Sequence, residues 1–319
     1  MPFCPEKRVL IITDDIVNSL YGDKLYGFLT DKEFEVYKFV FKNGEASKNI
    51  NTISDILEYA AKSGLRRNDM FLALGGGVTG DIAGLSAALY MRGVKIIQIP
   101  TTLLAAVDSS VGGKTGIDLN GGKNLVGAFK QPSLVICDTE IIKNLPDNIF
   151  NEGMGEVIKC CLIGLPEMKK ALRKDIIKGN IKDIIYQCIN LKREIVEKDE
   201  FDTLGIRNRL NAGHTIGHAI ESLSDYQISH GRAVATGLYI ESLIALRLGI
   251  CDIEIPEKLK NIISHFGLFL DLPFSKEDIA DICLKDKKNT NSRILFLLPE
   301  DFGKIKEVYL TKNELTGLL

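Results

Sequence analysis

The chain has 319 residues, room for about two domains, and its 45% hydrophobic and 26% charged content is that of an ordinary globular protein. Forty basic against forty-two acidic side chains leave a formal net charge of −2, too little to draw it to a nucleic-acid backbone or an anionic membrane, so neither partner is expected. Seven cysteines without a C-x-x-C pair do not make a disulfide framework, and charge and proline in Met1-Pro2-Phe3-Cys4-Pro5-Glu6-Lys7-Arg8 do not make a signal peptide, so a reducing, cytoplasmic setting is expected.

The first part alternates strand and helix signals. Val9–Ile12 is a short apolar run stopped by Thr13-Asp14-Asp15, and Glu35–Phe41 alternates with β-rich composition. Ile53–Ser63 has helical spacing, Met70–Leu74 is a buried strand ended by three glycines, and Val94–Ile99 and Leu134–Cys137 repeat the strand pattern. Short apolar strands separated by helices predict a parallel, Rossmann-like sheet covered on both faces. After Leu145-Pro146 helical periodicity dominates, over Asn151–Leu162, Pro166–Ile177, Ile181–Lys198, Ala212–Leu223 and Ala233–Leu248, with strands returning at Ile294–Leu298 and Ile305–Leu310. Glu241 and Arg247 interrupt the apolar stretch Ala233–Ile250, which reads as a packed helix rather than a membrane span. The expected architecture is therefore an α/β nucleotide-binding domain over residues 1–145 and a mainly α-helical metal and substrate domain over residues 146–319.

Leu72-Ala73-Leu74 runs into Gly75-Gly76-Gly77-Val78-Thr79-Gly80-Asp81, and Ile82-Ala83-Gly84-Leu85 continues as a helix. Gly75, Gly77 and Gly80 satisfy G-x-G-x-x-G between a strand and a helix, where backbone N–H groups can approach a pyrophosphate at a helix N-terminus. The next strand ends in Pro100-Thr101-Thr102 with no acidic residue for ribose hydroxyls, so the nucleotide is held differently from the common dehydrogenase pattern. Gly113-Lys114-Thr115 imitates the end of a P-loop, but Asp108 stands where the leading glycine belongs.

Lys114 and the pair Lys123-Asn124 lie in glycine-rich segments read as loops, a setting that presents ammonium groups and backbone donors to phosphate or carboxylate. Glu156 and Lys159 are three apart and share a helical face, as a surface ion pair would. Three of the four histidines fall within seventeen residues, His214, His218 and His230, and imidazole is the commonest metal ligand and proton carrier near neutral pH. His214 and His218 are four apart on one helical face, and Glu221 lies three beyond His218. Spacing alone leaves both Glu156 and Glu221 as carboxylate ligands for such a metal.

Taken together, Gly75–Asp81, Pro100-Thr101-Thr102, Asp108–Thr115, Gly122-Lys123-Asn124, Glu156-Val157-Ile158-Lys159 and Asn211-x-Gly213-His214-x-x-Gly217-His218 resemble 3-dehydroquinate synthase in order and spacing. The resemblance runs from Asn43-Gly44-Glu45 to Lys285-Asp286-Lys287-Lys288. It implies a homodimer of two-domain subunits with bound NAD and zinc (cobalt being an alternative). It further implies conversion of 3-deoxy-D-arabino-heptulosonate 7-phosphate to 3-dehydroquinate and phosphate, the second step of the shikimate pathway to chorismate and aromatic amino acids. Oxidation, elimination, reduction, ring opening and aldol closure would follow one another, with the departing phosphate as proton acceptor. By the same resemblance the metal ligands are Glu156, His214 and His230, and His218 handles protons beside them. Lys114, Asn124, Lys159, Lys192, Arg207, Asn211, His218 and Lys288 would surround the substrate's anions, and Arg92 would reach the neighbouring subunit's site. Asp14, Asn43, Glu45, Lys48, Gly76, Gly77, Val78, Thr79, Gly80, Asp81, Thr101, Thr102, Asp108, Lys114 and Lys123 would contact the cofactor.

Two departures from that pattern stand out. Ile16 takes the place of an amide on the adenosine side, and the segment between Lys192 and Arg207 is one residue longer, with Asp202 where the family has a glutamate that orients a basic ligand. The alternative readings are another sugar-phosphate cyclase, a metal-dependent polyol dehydrogenase, and a zinc- or NAD-binding sensor. The cationic set around Lys114, Lys159 and Lys192 disfavours an uncharged polyol.

Overall fold

The computed structural model describes residues 7–284 and 293–319, and divides them into two compact units that part between Asn144 and Leu145. Lys288, expected among the anion ligands, lies outside the described residues.

The first unit is built on a parallel sheet in the order β2-β1-β3-β4-β7. Its strands are β1 (Arg8–Asp14), β2 (Glu35–Phe41), β3 (Met70–Gly75), β4 (Lys95–Pro100) and β7 (Leu134–Val135). The helices are α1 (Asp15–Val17), α2 (Asp23–Asp31), α3 (Ile50–Lys62), α4 (Gly77–Leu89) and α5 (Thr139–Lys143). Alternate residues of each strand feed two cores. Leu10, Ile12, Phe71, Ala73 and Ile96 pack against Ile53 and Ile56 of α3 and Ile82 of α4. Val9, Ile11, Met70, Leu72, Leu74 and Ile97 pack on the other face with Leu25 and Leu29 of α2. Each such buried aliphatic side chain contributes about 1.5–3 kcal/mol, which is why these strands read as unbroken apolar runs.

Strand order reverses between β1 and β3, so the crevice beyond their carboxyl ends is where this class of sheet binds ligands. Asp14 ends β1, and the glycine turn ends β3, at that place.

The segments expected as loops around Lys114 and Asn124 form an antiparallel hairpin, β5 (Lys114–Leu119) and β6 (Gly122–Phe129). Glycine hid the strand signal. A Cβ on Gly127 would fall 2.3 Å from the Thr115 carbonyl oxygen, so the close approach of the two strands itself demands the residue that suppresses the pattern.

The second unit is mostly helical: α6 (Asp147–Ile163), α7 (Lys174–Ile177), α8 (Ile181–Val196), α9 (His214–Leu223), α10 (His230–Arg247), α11 (Glu254–His265), α12 (Lys276–Leu284) and α13 (Lys312–Leu318). An antiparallel pair, β8 (Arg293–Asp301) and β9 (Lys304–Thr311), adds Ile294, Phe296 and Leu298 to a core shared with Ile216, Ile220, Ala233, Ile244, Ile279 and Leu315. The helix expected over Pro166–Ile177 is broken: a 3-10 segment, Pro166–Ala171, stops before α7. Among the described residues no helix is long and apolar enough to cross a membrane.

Candidate active site

In the second unit α6, α9 and α10 bring Glu156, His214 and His230 together, with ligand atoms all within 4.8 Å of one another. Glycine makes that convergence possible. A Cβ on Gly155 would lie 2.5 Å from the Gly231 carbonyl oxygen, so α6 and α10 meet backbone to backbone beside Glu156 and His230. A Cβ on Gly237 would lie 2.1 Å from the Gly213 carbonyl oxygen, which sets α10 equally close to the start of α9. Gly213 has φ +77 and no room for a side chain beside Leu238, so it turns the chain into α9 one residue before His214.

Polar contacts hold the same crossings. Glu152, one turn before Glu156, accepts hydrogen bonds from Ser229 Oγ and from Gly231 N–H at 3.1 Å, at the first turn of α10. Glu241 of α10 accepts from Gly213 N–H at 2.7 Å. Burial pushes the Glu241 carboxyl up to about 8 while the backbone amides of Gly213 and Ile216 pull the other way. Neither role was legible in the sequence, where Glu241 served only to interrupt an apolar stretch, because a glutamate on an apolar helix carries no pattern of its own.

Glu156 is wholly buried, and neither of its oxygens makes a hydrogen bond of regular geometry. It faces the Lys159 ammonium, His230 Nε2 at 3.3 Å and His214 Nε2 at 3.6 Å. Each imidazole has its other nitrogen engaged, His214 Nδ1 with the Ala212 carbonyl at 3.1 Å and His230 Nδ1 with Glu221 Oε2 at 3.3 Å. A buried carboxylate facing two imidazole Nε2 atoms fits a divalent cation. Without one, burial would raise the Glu156 carboxyl, but Lys159 and the two imidazoles hold it well below the carboxylate range. Burial and Lys159 drive His214 well below the ordinary imidazole value, whereas contacts with Glu156 and Glu221 outweigh burial and raise His230 to about 10. The rival carboxylate Glu221 thus lies against the far nitrogen of His230.

Other residues of the expected anion set in this unit are Lys192, buried on α8, and Arg207, buried on the 3-10 segment Ile206–Asn211 that ends in half-buried Asn211. Exposed His218 stands edge-on to His214, ring centroids 5.4 Å apart, and lines a cavity of about 210 Å³ with Thr215, Ser222, Tyr226 and Cys283. The loop before Arg207 is organised by Asp199, which sequence reasoning passed over. Its carboxylate accepts from the N–H groups of Thr203 (2.8 Å), Leu204 (3.1 Å), Ile206 (3.1 Å) and Arg207 (3.4 Å). Asp202, the expected orienting acid, sits in that loop with φ +56.

In the first unit the turn Gly75–Gly80 carries the expected nucleotide residues. Gly76 caps α4 without a side-chain hydrogen bond, and a Cβ there would lie 3.2 Å from Thr102. A Cβ on Gly77 would lie 3.2 Å from Ser109 Oγ, so the bare backbone fits a cradle for a diphosphate. Buried Asp14 accepts a hydrogen bond from Thr79 Oγ1 at 3.3 Å, fixing the head of the turn, and Val78 and Gly80 lie within α4. Lys48 Nζ reaches Asp81 Oδ2 and Asn124 Oδ1, each at 2.7 Å, while Glu45 lies 3.6 Å from Lys123. Burial raises the Asp81 carboxyl against the pull of Lys48. Asn43 is exposed and its N–H donates to Asp15 at 2.8 Å. Thr101 is buried, Asp108 is half-buried in the π-helical segment Ala105–Ser109, and Lys114 is exposed at the start of β5. Arg92 is exposed, and it and Met91 adopt φ +65 and +47, a left-handed pair without glycine.

The 3-dehydroquinate synthase N-terminal family model matches residues 38–152, and the C-terminal model matches residues 153–289. The 3-dehydroquinate synthase of Alkaliphilus metalliredigens is 41% identical over 98% of this chain and 89% of its own length. That of Clostridium acetobutylicum is 44% identical over 93% of this chain and 85% of its own. Among solved structures, 2-deoxy-scyllo-inosose synthase complexed with carbaglucose-6-phosphate, NAD+ and Co2+ is similar, with TM-score 0.89 and 26% identity over 100% of this chain and 91% of that one. The 2-epi-5-epi-valiolone synthase of Streptomyces hygroscopicus shares the fold, with TM-score 0.91 and 24% identity over 98% of this chain and 89% of that one.

Proposed function

The chain belongs to the 3-dehydroquinate synthase family, and on that premise we propose how its residues divide the conversion of 3-deoxy-D-arabino-heptulosonate 7-phosphate to 3-dehydroquinate and phosphate. The observation that carries the reading is the meeting of the wholly buried Glu156 carboxylate with His214 and His230, their ligand atoms all within 4.8 Å of one another.

Glu156, His214 and His230 would hold zinc, or cobalt in its place. Bound there, the cation would supply Lewis acidity toward a substrate hydroxyl and the carbonyl formed from it. The cradle of Gly76–Asp81, with Asp14, Asn43, Glu45, Lys48, Thr101, Thr102, Asp108, Lys114 and Lys123, would hold NAD, which would supply reversible hydride transfer. Lys159, Lys192, Arg207, Asn211 and His218 bind the substrate's carboxylate and phosphate. Burial of Lys159, Lys192 and Arg207 strengthens their hold, since charge–charge attraction grows as water is excluded. Asp202 orients a basic member of this set.

The homodimer and the reach of Arg92 toward a partner's site are part of the same reading. Strained backbone at Met91 and Arg92, beside exposed Leu89 and Met91, supports a turn kept for contact with another surface. Cys137, Cys160, Cys161 and Cys251, none of them in a disulfide, support a reducing, cytoplasmic setting.

The test is a coupled assay with zinc, NAD and the heptulosonate phosphate. One phosphate should appear per 3-dehydroquinate, with no accumulation of NADH. Net NADH would mark a polyol dehydrogenase, no turnover would mark a sensor, and preference for a different sugar phosphate would mark another cyclase.

A further inference from the structure

Glu221 Oε2 lies 3.3 Å from Nδ1 of His230, while Nε2 of the same ring lies 3.3 Å from Glu156 Oε1. We propose that Glu221 is a positioning residue: by accepting the Nδ1 proton of His230 it fixes the tautomer and the tilt that leave Nε2 for a divalent cation. This rests on the reading of Glu156, His214 and His230 as metal ligands.

A neutral imidazole carries one proton, and the nitrogen that finds a strong acceptor keeps it, so the other presents its lone pair. His214 achieves this with a peptide carbonyl, the Ala212 oxygen at 3.1 Å, whereas His230 has a carboxylate. The two rings are therefore unequal donors, and Glu221 makes His230 the more basic. Charge supports the assignment. Lys159 already neutralises Glu156, so an added dication would stand with two uncompensated charges beside a wholly buried ligand. Glu221, itself buried, removes one of them through the ring.

The chain also holds Glu221 in place. Its backbone oxygen accepts from Tyr226 N at 2.8 Å and Ser224 Oγ at 2.9 Å. The turn that delivers those donors keeps Asp225 and Tyr226 at φ +48 and +60, a conformation unfavourable for a side chain as bulky as tyrosine.

Zinc affinity, by competition with a chromophoric chelator, and the cobalt absorption spectrum would be measured for wild type, Glu221→Gln, Glu221→Asp and Glu156→Gln. For Glu221→Gln the zinc Kd is expected to rise about 10–100-fold, with altered cobalt bands and an unchanged far-ultraviolet spectrum of the metal-free protein. Glu221→Asp should recover part of the loss, and it carries the test should the glutamine variant not fold. Wild-type affinity and cobalt bands in the folded Glu221 variants, with metal lost only in Glu156→Gln, would overturn the role of Glu221 alone. Equal binding by wild type and Glu156→Gln would instead remove the metal reading beneath it.

Discussion

The Cβ that Gly231 lacks would lie 2.0 Å from the backbone carbonyl oxygen of Glu152, so the helices that carry His230 and Glu156 touch with nothing between them. Any side chain there must part α6 from α10. Gly231→Ala is expected to destabilise the metal-free protein by about 1–3 kcal/mol, the usual cost of overpacking, and to weaken zinc binding in the same titration. Gly27 of α2 is the control, because a Cβ there meets nothing within 4 Å. Gly27→Ala should stabilise by about 0.5–1 kcal/mol, as alanine does in a helix. Urea unfolding of both variants checks the pair; a Gly231→Ala protein as stable and as metal-competent as wild type would refute the contact.

Glu156 and Lys159 form an ion pair in which both side chains are buried. Removing one partner of a buried pair leaves the other charge out of water, at about 3–5 kcal/mol. Glu156→Gln should therefore lower stability by that order and abolish both zinc binding and turnover. Glu156→Gln with Lys159→Met should recover most of the stability and none of the activity. If the double variant unfolds no later than the single one, the pair is not what the glutamate serves.

Much of this was legible in the residues because it depends on local pattern. The inner strands β1 and β3 are buried on both faces, so Val9–Ile12 and Met70–Leu74 announce themselves as apolar runs. Glycine spacing betrayed the turn before α4, since a strand-to-helix reversal needs it locally. What stayed hidden depends on distant partners. Glycines 116 and 127 of the β5–β6 hairpin look like a loop until the facing strand is present. Glu221 and Glu156 are equivalent by spacing, and only the packing of α6 and α9 against α10 puts Glu156 before His230 Nε2 and Glu221 behind Nδ1. Glu152 and Glu241 look like helix-surface acids, yet each ties one helix to the backbone of another.

Asp199 gathers four backbone N–H groups of the loop that leads to Arg207. Burial would raise its carboxyl, but the amides of Leu204, Thr203, Arg207 and Ile206 outweigh it and lower the value. Its contribution is therefore present above the ordinary carboxylate value of 3.8 and lost as pH falls through the depressed one. Asp199→Asn replaces one acceptor by an amide that confronts N–H donors. The loop should loosen and kcat/KM fall about tenfold or more, mostly through KM, as expected when binding is lost. Steady-state kinetics beside Asp202→Asn separate the two acids: an Asp199→Asn enzyme with wild-type KM would show that Arg207 is held by other means.

Glu241 gives the pH dependence its sign. Burial raises its folded value from 4.5 to about 8, so between those limits the folded protein keeps a proton that the unfolded chain has released. The stability it contributes is fully present below 4.5 and is lost as pH rises through about 8. Across that window wild type should lose about 1 kcal/mol per pH unit relative to Glu241→Gln, which cannot titrate. Comparing the two proteins cancels every other group, His230 included. Urea unfolding of both metal-free proteins at several pH values between 5 and about 8 supplies the measurement. A difference that stays flat would mean that the carboxylate is already charged at the low end, accepting from Gly213 N–H as an anion rather than as a neutral acid.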